Sequence, residues 1–298
     1  MTDIYHIIYN PYANRGGAAR YLQAFCALLD SKSKAYTVYE TTGPGHATQI
    51  TRDIIAQGDG TKYIVIMGGD GTVHEVVNGY NEGDDVVFGI VPAGTGNDVA
   101  AMLGIPAALE DIEAAAVNIL EKNVRPVDFI SAVDMQSILF FSYGIAAAMI
   151  LDMQKYKKKT KISYYRALLK NMFVFKADEY EVTYDGGEAR RYKADFCAVH
   201  NCIHAGGGMH LIDGAVMDDG LMELFIVEHR GFFRRVLNFI SILGKKIHLQ
   251  PNVQVLRVKE VTIVPTANKL CCTAGENHYF DQLKLSMRHK GIKVFGKC

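Results

Sequence analysis

The sequence has no surplus of either charge: 32 Lys and Arg residues are matched by 32 Asp and Glu residues over 298 positions. A dedicated nucleic-acid binder needs a basic surplus to neutralise phosphates, so that class is excluded and any attraction to an anionic surface has to be local. No apolar run approaches the ~18 residues of a membrane-spanning helix. The opening MTDIYHIIYNPY has neither the basic start nor the long apolar core of a secretory leader, and a cytoplasmic protein is expected. Six cysteines, at 26, 197, 202, 271, 272 and 298, form no C-x-x-C pair and read as reduced thiols, with Cys271 and Cys272 as packing residues. Proline-rich linkers, internal repeats and low-complexity tracts are also missing.

What is present is a core-forming composition, 49% apolar, long enough for about two domains of ~150 residues. Short apolar runs at Ile4–Tyr9, Ala35–Tyr39, Tyr63–Met67 and Val86–Val91 alternate with helical stretches at 17–29, 46–56, 72–80, 97–103 and 107–122. Strand–helix alternation through short Gly-rich links predicts βαβ units and a parallel sheet, whose ligands sit at the carboxyl ends of the strands. From about Arg125 strands follow one another through turns, as in YEVTYDGGEARRYKADF, which predicts antiparallel pairing. Helical stretches at 146–175, broken near the lysines, and at 231–246 interrupt it; strands are expected again at 253–264 and 283–287. The expected domains are 1–127, with 286–298 as a candidate returning segment, and 128–285.

Two loops carry the chemistry. Gly68-Gly69-Asp70-Gly71-Thr72 follows a β run and precedes a helix, and Pro92-Ala93-Gly94-Thr95-Gly96-Asn97-Asp98 repeats that design one unit later. Glycines there let the backbone approach a ligand, and Thr72 is placed to cap a helix whose free N–H groups and dipole attract phosphate. Asp70 is then expected in a solvent-facing turn at the mouth. Neither loop matches G-x-x-x-x-G-K-[ST] or an opening G-x-G-x-x-G, which excludes the ordinary Walker and dinucleotide fingerprints. Either loop alone is a common βα turn; two on neighbouring strands, with Asn10-Pro11 and Thr41, point to a phosphate site.

The segments NPYANRGG, TTGPGHAT, GGDGTVHEVVNG, VPAGTGNDVA, GGGMHLIDGAVMDDGLMEL and AGEN together resemble the diacylglycerol kinase catalytic domain family, relatives of sphingosine and NAD kinases. The resemblance implies an α/β fold class: an N-terminal α/β nucleotide-binding domain with a mostly parallel sheet and a C-terminal β-sandwich domain. It implies a lipid kinase that transfers the γ-phosphate of ATP to a lipid hydroxyl, diacylglycerol-like or related, in a cleft between the domains. It places Asn10, Thr41, Gly68, Gly69, Asp70, Gly71, Thr72, Val73, His74 and Thr95 around ATP. It also implies Mg²⁺, with a structural metal held at Asp219 and the Val216 and Leu221 carbonyls and linked to Asp128. Where the family reads Asp-Gly-Glu this chain reads Ala274-Gly275-Glu276, so Glu276 and Asp70 are the carboxylates left to take the acceptor proton. The substitution keeps a second class open, a catalytically weakened nucleotide- or lipid-binding regulator; an NAD kinase-like enzyme on a soluble substrate is a third.

Other features point less sharply. His200, Cys202, His204 and His210 suggest zinc, but strand alternation fixes only three of them on one face. Lys155 to Lys161, with five lysines in seven positions, is either a solvated helix end or a contact with anionic lipid. The apolar face of 231–246 is expected to pack on a sheet, with a membrane interface as the alternative. A lipid substrate, transient contact with a membrane surface and peripheral localisation there are the partner expectations, and a homodimer stays open.

Overall fold

β-branched and aromatic runs become strands where a neighbouring backbone completes their hydrogen bonds. The computed structural model describes residues 3–58, 60–153, 155, 160–206 and 208–296. It divides into two units: residues up to Val127 with those from Lys290 onward, and Asp128–His289.

The first unit is built from β1 (Ile4–Tyr9), α1 (Ala18–Ser31), β2 (Ala35–Glu40), α2 (His46–Ile55), β3 (Lys62–Gly68), α3 (Asp70–Val77), β4 (Val86–Pro92), α4 (Asp98–Met102) and α5 (Ile112–Leu120). Its sheet runs in the order β2-β1-β3-β4, all parallel, and Lys293 and Val294 of the last strand add alongside Val87 and Phe88. Alternation sends Tyr5, Ile7, Val65 and Met67 to one face, where they pack with Phe25 and Leu29 of α1 and Ile112, Ala116 and Ile119 of α5. The opposite set, Ile8, Ile64, Ile66 and Ile90, is buried too. α2 and α3 contact the sheet and each other there. Both faces are covered, as a parallel sheet requires, and each fully buried Leu or Phe contributes about 1.5–3 kcal/mol.

The second unit takes in β5 (Val124–Ser131) from Asp128 on, then β6 (Gln136–Ser137), β7 (Phe140–Gly144), α6 (Ile145–Met153), α7 (Lys161–Val174), β8 (Asp178–Tyr184), β9 (Arg190–His200), β10 (His204–Ala205), β11 (Met209–His210) and β12 (Met222–Glu228). It continues with α8 (Phe232–Leu243), β13 (Val253–Val258), β14 (Glu260–Pro265), β15 (Leu270–Thr273), β16 (Glu276–Tyr279) and β17 (Leu283–Phe295), whose first seven residues belong here. The strands in the order β16-β15-β7-β9-β8-β14-β17 pair antiparallel with their neighbours, and β12 pairs antiparallel with β9 and β13. The turn between β8 and β9 has Asp185 and Gly186 at φ 47° and 71°, the left-handed pair that a tight hairpin needs.

Three expectations change. The run 253–264 is two strands, β13 and β14, which pair with different neighbours. The helical stretch 146–175 is α6 and α7; of the lysine run between them only Lys155 and the backbone of Lys161 are described, so the anionic-lipid contact expected there lies outside the described residues. α8 reverses its expected orientation: Arg235, Asn238 and Ile242 are buried while Phe232, Phe233, Leu237, Ile240 and Leu243 are exposed.

Candidate active site

Register sets the strand ends of the first unit level: Tyr9 lies beside Glu40 and Met67, and Gly68 beside Pro92. Asn10, Thr41, Gly69 and Ala93 therefore emerge together at the carboxyl edge, where parallel sheets bind ligands. Backbone bonds fix them: the Asn10 N–H donates to Met67 at 3.0 Å, Thr41 to Tyr9 at 2.9 Å and Ala93 to Gly68 at 2.9 Å.

The two Gly-rich loops touch backbone to backbone. A Cβ on Gly94 would lie 2.3 Å from the Gly69 Cα, and one on Gly68 would lie 2.4 Å from the Thr72 Oγ1. The Asn97 side chain clamps the second loop, accepting from the Gly94 N–H at 2.9 Å and donating to its carbonyl at 3.1 Å. Asn97 can do this because it adopts φ 58°, a conformation Asn tolerates better than most residues.

α3 starts at Asp70, with Gly69 as its N-cap and no side chain capping its first turn. Thr72 is thus not the cap expected from the sequence. It sits inside that turn, buried, where its hydroxyl accepts from the Asn10 Nδ2 at 3.0 Å. The uncapped amides of Asp70, Gly71 and Thr72 and the positive end of the helix dipole suit phosphate oxygens. Val73 and His74 point into buried surroundings, and the His74 carbonyl accepts from the Asn78 Nδ2 at 2.7 Å. Thr95 is exposed at the crest of the second loop, and the Thr41 side chain is buried.

Asp70 also differs from expectation. Far from standing in open solvent, it is half-buried against the start of α4, where its Oδ1 accepts from the Val99 N–H at 3.0 Å and the amides of Asp98 and Asn97 also donate to the carboxylate. Burial and the nearby Asp98 carboxylate outweigh those donors and raise its pKa to about 6. A carboxylate with its pKa near neutrality is suited to general-base work. Sequence reasoning missed Asn97 and Asp98 as parts of this arrangement. It also missed Glu75, whose Oε2 accepts from the Ala47 N–H at 3.2 Å and whose carbonyl accepts from the Thr48 hydroxyl, fixing α2 to α3.

The remaining expected residues lie in the second unit. Ala274 and Gly275 form the turn between β15 and β16 at φ 47° and 85°, and Glu276 is exposed just after it. Asp128, fully buried on β5, comes next to the 217–221 turn: its N–H donates to Met217 at 2.7 Å and its Oδ2 accepts from the Gly220 N–H at 2.6 Å. The other Asp128 oxygen is bonded to the His289 Nδ1 at 3.0 Å. Asp219 accepts from the Leu221 N–H at 3.0 Å and forms an ion pair with Arg257. Val216 is exposed. Asp128 and the Asp219 segment are brought together. Their carboxylates are nonetheless occupied by N–H donors, a histidine and a guanidinium, so these two side chains, as they are paired, do not fit the implied Mg²⁺.

The zinc alternative fails on geometry as well. His200 is buried and stacked on Phe140, Cys202 lies beyond the end of β9, and among the described residues no group of three His, Cys, Asp or Glu side chains is arranged to hold a metal.

Comparison with known proteins agrees with the fold and with the loops. Residues 5–132 match the model of the diacylglycerol kinase catalytic domain, and residues 141–285 match that of the YegS C-terminal NAD kinase beta sandwich-like domain. The diacylglycerol kinase of Bacillus subtilis is 29% identical over 230 residues, 74% of this chain and 73% of that protein. A protein of Chromohalobacter salexigens named "Probable lipid kinase YegS-like" is 31% identical over 204 residues, 67% of this chain and 64% of that one. A crystal structure of a diacylglycerol kinase from Bacillus anthracis superposes with a TM-score of 0.79 at 24% identity, covering 99% of this chain and 97% of its own, which speaks to the fold. With both of its halves matched in sequence, over residues 5–132 and 141–285, this chain belongs to the diacylglycerol kinase catalytic domain family.

Proposed function

We propose that the protein transfers the γ-phosphate of ATP to the hydroxyl of a lipid acceptor. The observation that carries this reading is the joining of Gly69 to Gly94 beside Asp70: two amide-rich loops for phosphates and, at their junction, a carboxylate whose pKa of about 6 suits a proton acceptor.

The nucleotide phosphates lie against the first-turn amides of α3, with the Asn10 carboxamide and the Thr95 hydroxyl at their flanks. Mg²⁺ bound to ATP would supply neutralisation of the phosphate charge. The acceptor oxygen attacks the γ-phosphorus, the bond to the β-phosphate bridging oxygen breaks, ADP departs, and the acceptor proton passes to the Asp70 carboxylate. Glu276 is the alternative proton acceptor.

A lipid acceptor is supported by an apolar cavity within the second unit. Phe140, Ala146, Met149, Ile150, Leu168 and Phe196 are among its walls; its volume is only about 30 Å³, so the support lies in the apolar chemistry of the walls and an acyl chain would have to widen it. His200 also lines it, and burial lowers its pKa to about 3, so the cavity stays uncharged at any physiological pH. A soluble, charged acceptor of the NAD kinase kind has no match in such walls.

Ala274 favours a second reading, nucleotide binding without transfer, because the turn that would carry a further carboxylate carries none. Incubation with γ-labelled ATP and a panel of lipids decides between the two. Label in an organic-soluble product supports the kinase, and nucleotide binding with no labelled product on any lipid supports the binding protein.

A further inference from the structure

A helix that packs on a sheet normally turns its apolar face inward. α8 does the reverse, for an identifiable reason. Arg235, on its inner face, donates from Nε and Nη2 to the Asp195 Oδ1 on β9 at 3.0 and 2.7 Å. Its Nη1 donates to the carbonyls of Phe175 and Met172, at 2.6 and 3.3 Å, which close the C-terminal end of α7. This buried polar anchor fixes the rotation of α8. Phe232, Phe233, Leu237, Ile240 and Leu243 are left on the outside, Phe233 at 85% exposure and Ile240 at 57%.

α7 extends the same surface. Ile162, Leu169 and Phe173 recur at helical spacing and are exposed, and the Phe173 ring lies 5.3 Å from that of Phe232, joining the two helices into one apolar face. Around it the charge is of one sign. The segments Thr160–Ala177 and Gly231–Lys246 contain no Asp or Glu in a protein of zero net charge; Arg235 turns inward and Lys170 pairs with Asp152, which leaves Arg166, Lys176, Arg234, Lys245 and Lys246 as the basic residues at the surface. Exposed apolar faces of this size mark interaction surfaces, and an apolar face flanked by Lys and Arg is the pattern of helices that lie in a membrane interface.

We propose that the joined face of α7 and α8 docks on an anionic lipid bilayer, its aromatic and aliphatic side chains entering the headgroup boundary and its basic flanks meeting lipid phosphates. The surface deepens the lipid-acceptor reading by stating how the protein reaches its substrate. A second copy of the chain is the disfavoured occupant, because a two-fold pairing of this face brings its basic flanks against each other.

Vesicle pelleting of the full chain tests the proposal. The wild type should pellet with vesicles containing phosphatidylglycerol and much less with phosphatidylcholine alone. Phe233→Asp/Ile240→Asp should lower the partition coefficient at least about tenfold at an unchanged melting temperature, since both residues are exposed. Lys245→Glu/Lys246→Glu should remove most of the preference for the anionic vesicles. Wild-type pelleting by the Asp variant overturns the proposal, as does a wild-type dimer in vesicle-free sedimentation that the Asp variant converts to monomer. With a short-chain, water-soluble lipid acceptor the Asp variant should transfer phosphate at the wild-type rate, and a variant slow in that assay also overturns it. If the wild type itself phosphorylates no lipid, the kinase reading fails while the pelleting result still decides the docking surface.

Discussion

Gly69 and Gly94 pass so closely that neither loop leaves room for a side chain on the other: a Cβ on Gly94 would lie 2.3 Å from the Gly69 Cα, and one on Gly69 would lie 3.1 Å from the Gly94 Cα. The clash at 94 is with backbone that cannot rotate away. Gly94→Ala is therefore expected to be the more damaging, at about 3 kcal/mol, the upper end of overpacking costs, and Gly69→Ala nearer 1 kcal/mol. Nucleotide affinity should fall in the same order. Denaturant melts and nucleotide titrations of the two variants check both, and a harmless Gly94→Ala would refute the loop contact.

Asp70 should set the pH dependence of transfer. Its folded pKa of about 6 is above the ordinary carboxylate value, so ionised Asp70 accumulates only as pH rises through 6, and transfer should rise with it. Asp70→Asn should cost ~10²–10⁴ in rate, the range for lost general-base catalysis. The stability sign is opposite: a raised folded pKa favours the native state below the unfolded value and loses that contribution as pH passes 6. Asp70→Asn should therefore be no less stable than wild type at pH 8, provided the amide oxygen keeps the bond from Val99. A pH–rate profile that is flat from 5 to 8 would remove Asp70 from the proton path.

Glu223 offers a check away from the reaction. It is buried on β12, one carboxylate oxygen has no hydrogen-bond partner among the described residues, and burial reinforced by Asp219 raises its pKa to about 7 against the opposing pull of Arg257. Its contribution to stability is complete below the unfolded value near 4.5 and is lost as pH rises through 7. Glu223→Gln should accordingly stabilise the protein by about 1–2 kcal/mol at pH 8 and by nothing measurable at pH 4. Thermal melts at the two pH values give the comparison.

Ala274 holds a left-handed backbone at φ 47°, which Asp and Asn tolerate better than Ala. Ala274→Asp should thus fold at least as well as the wild type while adding a carboxylate beside Glu276. If Glu276 handles the proton, kcat should rise in Ala274→Asp and fall in Glu276→Gln. If Asp70 does so alone, kcat should be unchanged in both.

The parallel half was legible because each strand ended in a Gly-rich loop and each helix followed at once, so local signals and long-range pairing agreed. β7 and β12 were not, since FFSYG and the LFIV within MELFIVE are short apolar stretches whose spacing does not separate a buried strand from a buried helix. The amphipathic character of α8 was visible in its spacing, but its direction was not. Periodicity shows that a helix has two faces, and here a distant residue, Asp195, decides which one is buried. The same limit applies to Asp219, whose partner Arg257 is remote in sequence, and to Asp70, whose environment is made by residues 97–99. Spacing along the chain placed the loops; charges arriving from elsewhere in the fold set what their carboxylates do.

The most direct test of the account is incubation of the purified protein and of its Asp70→Asn variant with γ-labelled ATP, Mg²⁺ and an extracted mixture of membrane lipids. Label should appear in an organic-soluble phospholipid product with the wild type and fall at least about a hundredfold with the variant. Label confined to water-soluble products, or equal labelling of lipid by both proteins, would contradict it.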